Sequence, residues 1–552
     1  MTDEFYRRPC RLTAMRAALP GLAASALATC LGGPAEAQRD EQAVARRVEI
    51  DWPAAARDAQ ALSPLLAAPT TSGRWPPQHL ARARKRLESY TVKEDMLPLA
   101  LLNERAGQIY RGVESVPIPV LAPVDATRLL TEWARASGGK AKEGATYHSP
   151  SIVKLQFVAG PSGYDMIATT SAKAMRDHGL AVGLKPQLHI AGSVLMYDGD
   201  EPGEPVPELQ DLYPGLRRTL GAEEVTYTFR KYGVPYFVNV NCSNDPPVAS
   251  RLSCRQADAI VREALRGLRL IGGAPLEIKR HVPRIVPQPT KAHPDFKFHA
   301  PGSLIPGTSE QNRGGSTSRV IYGSNLLFPI RQAPAYANTQ VFLHWGDCLG
   351  QRIDIPEQPG DQFDRYKCPQ TGKELLHFEG HVENYAYPWR DNYCEARGDG
   401  NPSGCPLSKG HAGQDLRPGN CMPDTDNERC RIDLFDVVAV IDGRSWWKEP
   451  PYENHLRLQY DDGSNKLYFM YLHMSPTALR DAGMKKGMFV PVARGQRVGK
   501  IGNFDKATPG ATTAHLHFEV RLGNNIGVPR NPYMTLVRAY ERLLRATGTE
   551  LP

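Results

Sequence analysis

Turn-forming residues are frequent in this chain, which contains 47 prolines and 49 glycines among 552 residues. Proline breaks helices and glycine favours turns, so much of the chain must be loop and turn, and one large helical bundle is excluded. Hydrophobic residues make up 41% of the chain, which excludes disorder of the whole chain and is enough for more than one packed core. At roughly 150 residues per domain, the length predicts about three or four domains.

The net charge is small for this length, because 67 Lys and Arg oppose 59 Asp and Glu and leave +8. This excess does not form the basic stripe typical of nucleic-acid binders, so no nucleic-acid partner is predicted. After the N-terminus, no run approaches the ~18 apolar residues that a membrane-spanning helix needs. No transmembrane segment is therefore predicted, and the sequence does not indicate an oligomeric state.

The N-terminus has the pattern of a secretory signal. Four arginines precede a weakly apolar run over residues 17–31, and Ala35-Glu36-Ala37 follows it. The pattern predicts a signal peptide over residues 1–37, cleaved after Ala37, and hence an exported protein, either periplasmic or secreted. Two alternatives stay open, namely that Arg7-Arg8 belongs to a twin-arginine signal and that Cys30 is lipidated.

The cysteine count supports export. Without Cys10 and Cys30 of the predicted signal, eight of the ten cysteines remain, an even number suited to an oxidising compartment. Eight cysteines allow roughly a hundred connectivities, and the simplest hypothesis pairs neighbours in sequence. A four-cysteine zinc site is disfavoured because C-x2-C spacing is absent. The sequential pairs are Cys242 with Cys254, Cys348 with Cys368, Cys394 with Cys405, and Cys421 with Cys430.

Composition and hydrophobic patterns divide the rest of the chain into four regions. Residues 38–140 are rich in Ala, Arg and Pro and then helical. Residues 141–278 predict an α+β accessory domain, and the Pro-rich residues 279–319 predict a linker. Residues 320–545 show short apolar runs separated by turns. The predicted class is a multidomain protein whose mainly antiparallel β C-terminal domain follows the accessory domain.

Particular elements are predicted within these regions. In the first two regions we expect helices over residues 97–109 and 256–268, and a helix capped by Asp125. Strands are expected over residues 152–158, 188–197 and 225–240.

Strict alternation near the C-terminus places two histidines on one face. Residues 514–520 read Ala-His-Leu-His-Phe-Glu-Val, and a strand directs residues i and i+2 to the same side. His515 and His517 therefore point together, so that one can bind a metal ion while the other stays free. Alone, this pair is a weak signal, since it also fits a polar strand face.

Two upstream motifs strengthen the metal interpretation. His411 and Asp415 lie four residues apart around a glycine, which lets the backbone fold back so that both reach one ion. His473 lies near the end of the strand-like residues 468–474. Two histidines and one aspartate from different elements form a three-ligand site with a fourth position open for water. This is the catalytic arrangement of zinc rather than the structural one.

In this order, the H-x3-D, Y-x-H and H-x-H motifs resemble the M23 family, the LytM or lysostaphin-type zinc metallopeptidases. The resemblance extends to residues 436–443 and to the glycine turns of residues 486–502, and it covers roughly two-fifths of the chain. It implies a β-sheet groove and one Zn²⁺ per chain bound by His411, Asp415 and His517. It also implies that His473 and His515 are the catalytic histidines and that peptidoglycan is the substrate.

The chemistry of hydrolysis requires a base and an acid beside the metal. The glutamate of an H-E-x-x-H helix is missing, so an unligated imidazole must serve, and the sequence leaves open whether His473 or His515 is the base. A second candidate motif, His377-Phe378-Glu379-Gly380-His381, matches neither H-E-x-x-H nor H-x-x-E-H and is interpreted as a solvated or outer cluster.

The chain departs from the family pattern in one region. A strand over residues 326–330, which resembles the family's opening strand, precedes His411 by a long stretch with four cysteines. We interpret residues 345–405, approximately, as a disulfide-stapled insertion that shapes or covers the groove.

The resulting hypothesis is an exported zinc endopeptidase that cuts peptide cross-links of peptidoglycan. A catalytically silent LytM-like cell-wall binding or activator module, and a secreted peptidase acting on proteins, are the alternatives. All five polar residues expected of an active member are present, namely His411, Asp415, His473, His515 and His517.

Overall fold

Two antiparallel sheets, one of seven strands and one of eight, dominate the computed structural model of the protein. Both belong to one compact unit, residues 40–552. The structure describes residues 41–62, 66, 77–135, 149–179, 184–197, 203–221, 223–243, 252–278, 295–304, 314–337, 344–345, 348–349, 351–353, 365–367, 374–375, 387–395, 403–406, 410–419, 432–450, 452–506, 508–510 and 512–548.

Most helices of the described residues precede the eight-stranded sheet. They are α1 (Trp52–Leu62), α2 (Pro77–Glu88), α3 (Leu97–Ala106), α4 (Ala126–Arg135), α5 (Ala172–Asp177) and α6 (Cys254–Gly267), with short 3₁₀ turns at Val113–Ser115 and Pro207–Leu209. The strands of this part are β1 (Glu41–Gln42), β2 (Ala45–Arg47), β3 (Val120–Pro123), β4 (Ile152–Ala159), β5 (Gly163–Thr170), β6 (Gln187–Ser193), β7 (Leu195–Tyr197), β8 (Glu204–Pro205), β9 (Arg217–Leu220), β10 (Glu224–Lys231), β11 (Val234–Asn241) and β12 (Leu268–Gly272).

Strands predominate in the remainder of the described chain. They are β13 (Val320–Ile321), β14 (Ala335–Ala337), β15 (His344–Trp345), β16 (Cys348–Leu349), β17 (Gln351–Ile353), β18 (Arg365–Lys367), β19 (Glu374–Leu375), β20 (Gln414–Pro418), β21 (Asp436–Val438), β22 (Gly443–Trp447), β23 (Leu456–Asp461), β24 (Lys466–Leu472), β25 (Phe489–Val492), β26 (Arg497–Lys500), β27 (Leu516–Leu522) and β28 (Asn525–Arg530). Two helices, α7 (Pro476–Asp481) and α8 (Tyr533–Thr547), complete it.

The seven-stranded sheet, here called the accessory sheet, has the order β4-β5-β6-β11-β10-β9-β8. Its alternating sequence sends Val225, Tyr227 and Phe229 into a core shared with the N-terminal helices and α6. Residues of the opposite face, such as Glu224 and Thr226, are also buried. The accessory sheet is therefore covered on both faces.

The eight-stranded sheet has the order β14-β20-β27-β24-β23-β22-β25, and β28 pairs with β27. Leu516, Phe518 and Val520 of β27 enter a second hydrophobic core, which also includes residues of α8. Because successive strand residues alternate, His517 of β27 lies on the face away from this core. We call that face the site face.

The accessory sheet packs against the site face through a buried polar network. The Asp165 carboxylate binds His189 Nε2 at 2.7 Å and Lys466 Nζ at 2.8 Å, and it accepts a hydrogen bond of 2.7 Å from the Tyr468 hydroxyl. Arg457 Nη1 lies 2.7 Å from His189 Nδ1. Buried charges of this kind are tolerated because each is paired.

The mainly antiparallel architecture with a few helices confirms the predicted balance of elements. Residues 225–240 form the β10–β11 hairpin, closed by Tyr232 and Gly233 at positive φ of 54° and 78°. The Asp125 carboxylate caps α4 by accepting from Arg128 N at 2.9 Å. The predicted domain boundaries, including the linker, remain predictions.

One predicted strand is wrong. Residues 326–330 form no strand, and Ile330 makes an isolated bridge to Val437. Pro329 explains the difference, since proline has no N–H group to donate to a ladder.

Two of the four predicted disulfides are present, Cys242–Cys254 and Cys394–Cys405. The other two pairs depend on Cys368, Cys421 and Cys430, which lie outside the described residues. The same is true of the predicted signal peptide with Cys30, of the motif around His377 and His381, and of much of the predicted insertion. In the described ranges, no helix has the length and apolar character needed to cross a bilayer.

Candidate metal centre

Strand register brings the aspartate and histidine of two distant motifs together. Asp415 of β20 pairs with His517 of β27, and Leu472 at the end of β24 pairs with His517 from the other side. His411 lies three residues before β20, in the segment that leads into it. The central strands of the sheet therefore assemble this site from residues more than a hundred positions apart.

The side chains of His411, Asp415 and His517 form a buried group that could hold a metal ion. His411 Nε2 lies 2.8 Å from His517 Nδ1 and 3.3 Å from Asp415 Oδ1. His517 Nδ1 lies 3.1 Å from the same oxygen. Ligand atoms at ~2.0–2.1 Å from a tetrahedral zinc ion are ~3.3 Å apart, so the three donors nearly match that spacing.

In each of the two histidines, one ring nitrogen has a hydrogen-bond partner outside the donor group, and the other ring nitrogen faces the other donors. His411 Nδ1 lies 2.7 Å from the Asn392 carbonyl oxygen, and His517 Nε2 lies 3.0 Å from Glu519 Oε1. Metal-binding histidines usually donate their other ring N–H to a carbonyl or carboxylate in this way. The donor set and its outer partners therefore fit a divalent metal ion such as zinc.

The glycine within the first motif is required by close packing. A Cβ atom on Gly413 would lie 2.6 Å from the Phe518 carbonyl oxygen and 2.7 Å from His517 Nε2. Gly413 is not among the positive-φ glycines. Its role is thus to let the segment approach β27, rather than to form the left-handed turn that folding back would suggest.

The two remaining predicted histidines face the same site. His515 Nε2 lies 3.4 Å from Asp415 Oδ1, and the rings of His515 and His473 are 4.4 Å apart. Their Nδ1 atoms lie 2.7 Å from the backbone oxygens of Thr513 and Phe504, respectively. His473 adopts a φ of 73°, a strained conformation for a side-chain-bearing residue that is common at functional sites.

Burial and neighbouring groups set the charges of these imidazoles. Burial, reinforced by the nearby His515 and His517, holds the pKa of His473 well below its usual value. Burial also lowers the pKa of His515. Burial acts in the same direction on His517, but hydrogen bonds to the Asp415 and Glu519 carboxylates raise its pKa overall to about 9. His473 and His515 are therefore neutral near pH 7, and a metal ion would compete with a proton for His517.

The structure brings all five predicted site residues into one cluster, while their individual roles remain predictions. Sequence reasoning missed the outer partners. The sequence could have indicated Glu519, because it is two residues from His517 and therefore lies on the same strand face. No such signal exists for Asn392, because its contact is made by a backbone carbonyl, 19 residues before His411 in a segment without a motif.

We expect Glu519→Ala to weaken metal binding without removing a ligand. Loss of an outer carboxylate typically lowers metal affinity ~10–100-fold, and Glu519 is held in turn by Arg521 Nε at 2.6 Å. Glu519→Gln, which keeps an acceptor, should lose less. Zinc titration with a competing chelator measures both, with the exposed Asp481→Ala on α7 as control. Equal affinity in all variants would refute the positioning role of Glu519.

The Cys394–Cys405 disulfide should support the metal site specifically. Cys394 N donates to the His411 oxygen at 3.0 Å, and His411 N donates to the Glu395 oxygen at 2.7 Å. We expect Cys394→Ala/Cys405→Ala to lower both the free energy of unfolding, by ~2–4 kcal/mol, and the zinc affinity.

The other disulfide provides a matched control for this prediction. Cys242 and Cys254 are 12 residues apart, against 11 for Cys394 and Cys405. Cys242→Ala/Cys254→Ala should cost similar stability and leave zinc affinity unchanged. Denaturant unfolding and zinc titration separate the two effects, and an equal loss of zinc affinity in both double variants would contradict the prediction.

Comparisons with known proteins give partial structural likenesses. A chain from the orthorhombic crystal of Helicobacter pylori Csd3 matches at 25% identity over 23% of this chain and 27% of that chain, with a TM-score of 0.15. A chain from the hexagonal crystal of the same protein matches at 20% identity over 34% of this chain and 46% of that chain, with a TM-score of 0.16. The matches thus span less than half of either Csd3 chain, and TM-scores this low identify neither fold nor function. No family model and no curated protein matches the chain.

Proposed function

We propose that the protein is an exported zinc metallo-endopeptidase that hydrolyses peptide cross-links of peptidoglycan. The observation that carries the proposal is that His411, Asp415 and His517 form a buried group that could hold a metal ion, with the imidazoles of His473 and His515 beside it. The reaction class follows from these residues. The substrate class and the groove follow from the resemblance of the motifs to the M23 family.

The three donors and the two remaining histidines have different parts in this chemistry. Zinc bound by the three donors would lower the pKa of its water toward ~7 and polarise the scissile carbonyl. The Nδ1 contacts of His473 and His515 with carbonyl oxygens assign the proton of each neutral ring to Nδ1. Each Nε2 therefore keeps its lone pair and is available to accept a proton from water and return it to the leaving amine.

Glu519 is not available as the base of this reaction. One of its oxygens contacts His517 Nε2 at 3.0 Å, and the other accepts from Arg521 Nε at 2.6 Å. The base and the acid are therefore assigned to the His473–His515 pair. Export is supported by the two disulfides, which persist in oxidising compartments.

Digestion of purified cross-linked muropeptides tests the proposal. The zinc-loaded protein is incubated with the muropeptides and, separately, with an unfolded protein, and the products are identified by mass. We expect a water-dependent mass gain and separation of cross-linked stems, with little cleavage of the protein. Cleavage of the protein alone would favour a general secreted peptidase. A metal-free, inert protein that still binds cell wall would favour a regulatory module.

A further inference from the structure

A cavity of about 290 Å³ beside the metal donors is built by both sheets. His411, His473 and His517 line it, and so do Glu224 at the start of β10 and Glu223 just before it. The mechanism proposed above uses neither glutamate. Their position beside the site therefore needs a separate explanation.

Three cations from the C-terminal half of the chain contact the two glutamates. Glu224 forms an ion pair with Arg521 and contacts Arg457 Nη2 at 3.2 Å. Glu223 Oε1 lies 3.5 Å from Lys506 Nζ. We call Arg457, Lys506 and Arg521 the cation cluster.

Arg521 of the cation cluster lies on the strand that carries the metal donor His517. His517, Glu519 and Arg521 are alternate residues of β27 and share the site face. At ~3.4 Å per residue, Arg521 lies about 14 Å along β27 from His517, the length of about four residues of an extended peptide. A peptide bound at the metal would thus bring a neighbouring side chain to Arg521, and Lys506 lines the same cavity.

Charge complementarity indicates what the cation cluster binds. Arg457 and Arg521 contact the carboxylate of Glu224, and Lys506 contacts that of Glu223. Because buried cations without anionic partners are strongly unfavourable, we expect a peptide that replaces the glutamates to carry carboxylates of its own.

We propose that the cation cluster binds a carboxylate-bearing segment of the peptide substrate and that Glu223 and Glu224 occupy this position when the accessory sheet is docked. The inference rests on the proposed peptidase function and narrows its substrate to acidic peptides. The accessory sheet and an acidic substrate then compete for the same cations.

Two fluorescent tetrapeptides that differ only in one Glu or Gln side chain test this inference. Their binding to the zinc-loaded full chain is measured by anisotropy at low salt, before turnover. We expect the Glu223→Gln/Glu224→Gln variant to bind the acidic probe about tenfold more tightly than the wild type does, because the probe no longer competes with two carboxylates for the cation cluster. The affinity for the amide probe should be unchanged. The exposed Glu204→Gln on the same sheet is the control.

A second variant keeps the test decisive if the double variant does not fold. Lys506→Gln, which leaves the metal donors intact, should weaken the acidic probe several-fold and leave the amide probe unaffected. Equal affinity for both probes in every variant would overturn the inference.

The failure of this inference is distinguishable from that of the proposed function. Cleavage of muropeptides without any preference for the acidic probe would refute the carboxylate site but not the peptidase function. A preference for the acidic probe without any hydrolysis would refute the peptidase function but not the carboxylate site.

Discussion

Replacing His517 with alanine is expected to abolish both zinc binding and hydrolysis of cross-linked muropeptides. His517 supplies the nitrogen that lies between His411 Nε2, at 2.8 Å, and Asp415 Oδ1, at 3.1 Å. Its loss leaves two donors, too few for a stable zinc site. The fall in zinc affinity should exceed the ~10–100-fold typical of an outer residue, and metal analysis after dialysis measures it.

His178→Ala is the matched control for this experiment. His178 is a partly buried histidine that pairs with Glu263 at 2.6 Å on the accessory part of the chain, away from the metal donors. The control should retain one zinc per chain and full hydrolysis. If His517→Ala retained stoichiometric zinc, the His-Asp-His assignment would be wrong.

Replacing His473 with alanine should separate catalysis from metal binding. His473 faces the site through the His515 ring but is not one of the three grouped donors. We therefore expect one zinc per chain to remain and kcat to fall ~10²–10⁴-fold, the usual contribution of a positioned proton-transfer group. Zinc analysis and initial rates on muropeptides measure the two quantities.

The corresponding His515→Ala variant tests the other half of the pair. It should also keep zinc and lose turnover. The variant whose pH–rate profile loses the acidic limb, which reports protonation of the base, identifies the base. Loss of zinc from His473→Ala would make His473 a ligand instead. Unchanged kcat in both variants would contradict their assignment as the base and acid.

Much of the fold was predictable because local patterns and tertiary packing agree. Alternation in residues 225–240 predicted strand, and the hairpin turn at Tyr232-Gly233 supplies the break that periodicity alone did not locate. The cap at Asp125 was readable because the side chain and the helix start are adjacent in sequence. The strand over residues 326–330 was predicted from its resemblance to the family's opening strand, and that resemblance does not account for Pro329, which has no N–H group to donate to a ladder.

The cluster at the site was predictable because its residue types and spacing carry the chemistry. His515 and His517 share a face through the two-residue period of a strand, and both contact Asp415. The contacts that complete the site were not predictable in this way. Asn392 and Glu224 reach it through tertiary packing of segments without a local motif.

Zinc K-edge X-ray absorption of the purified full chain tests the central claim most directly. The account predicts one zinc per chain with two imidazole nitrogens and with oxygen ligands from Asp415 and water, all at about 2.0–2.2 Å. The imidazole signal should be lost in His517→Ala. A first shell containing sulfur at about 2.3 Å, or a wild-type protein that binds no zinc, would contradict it.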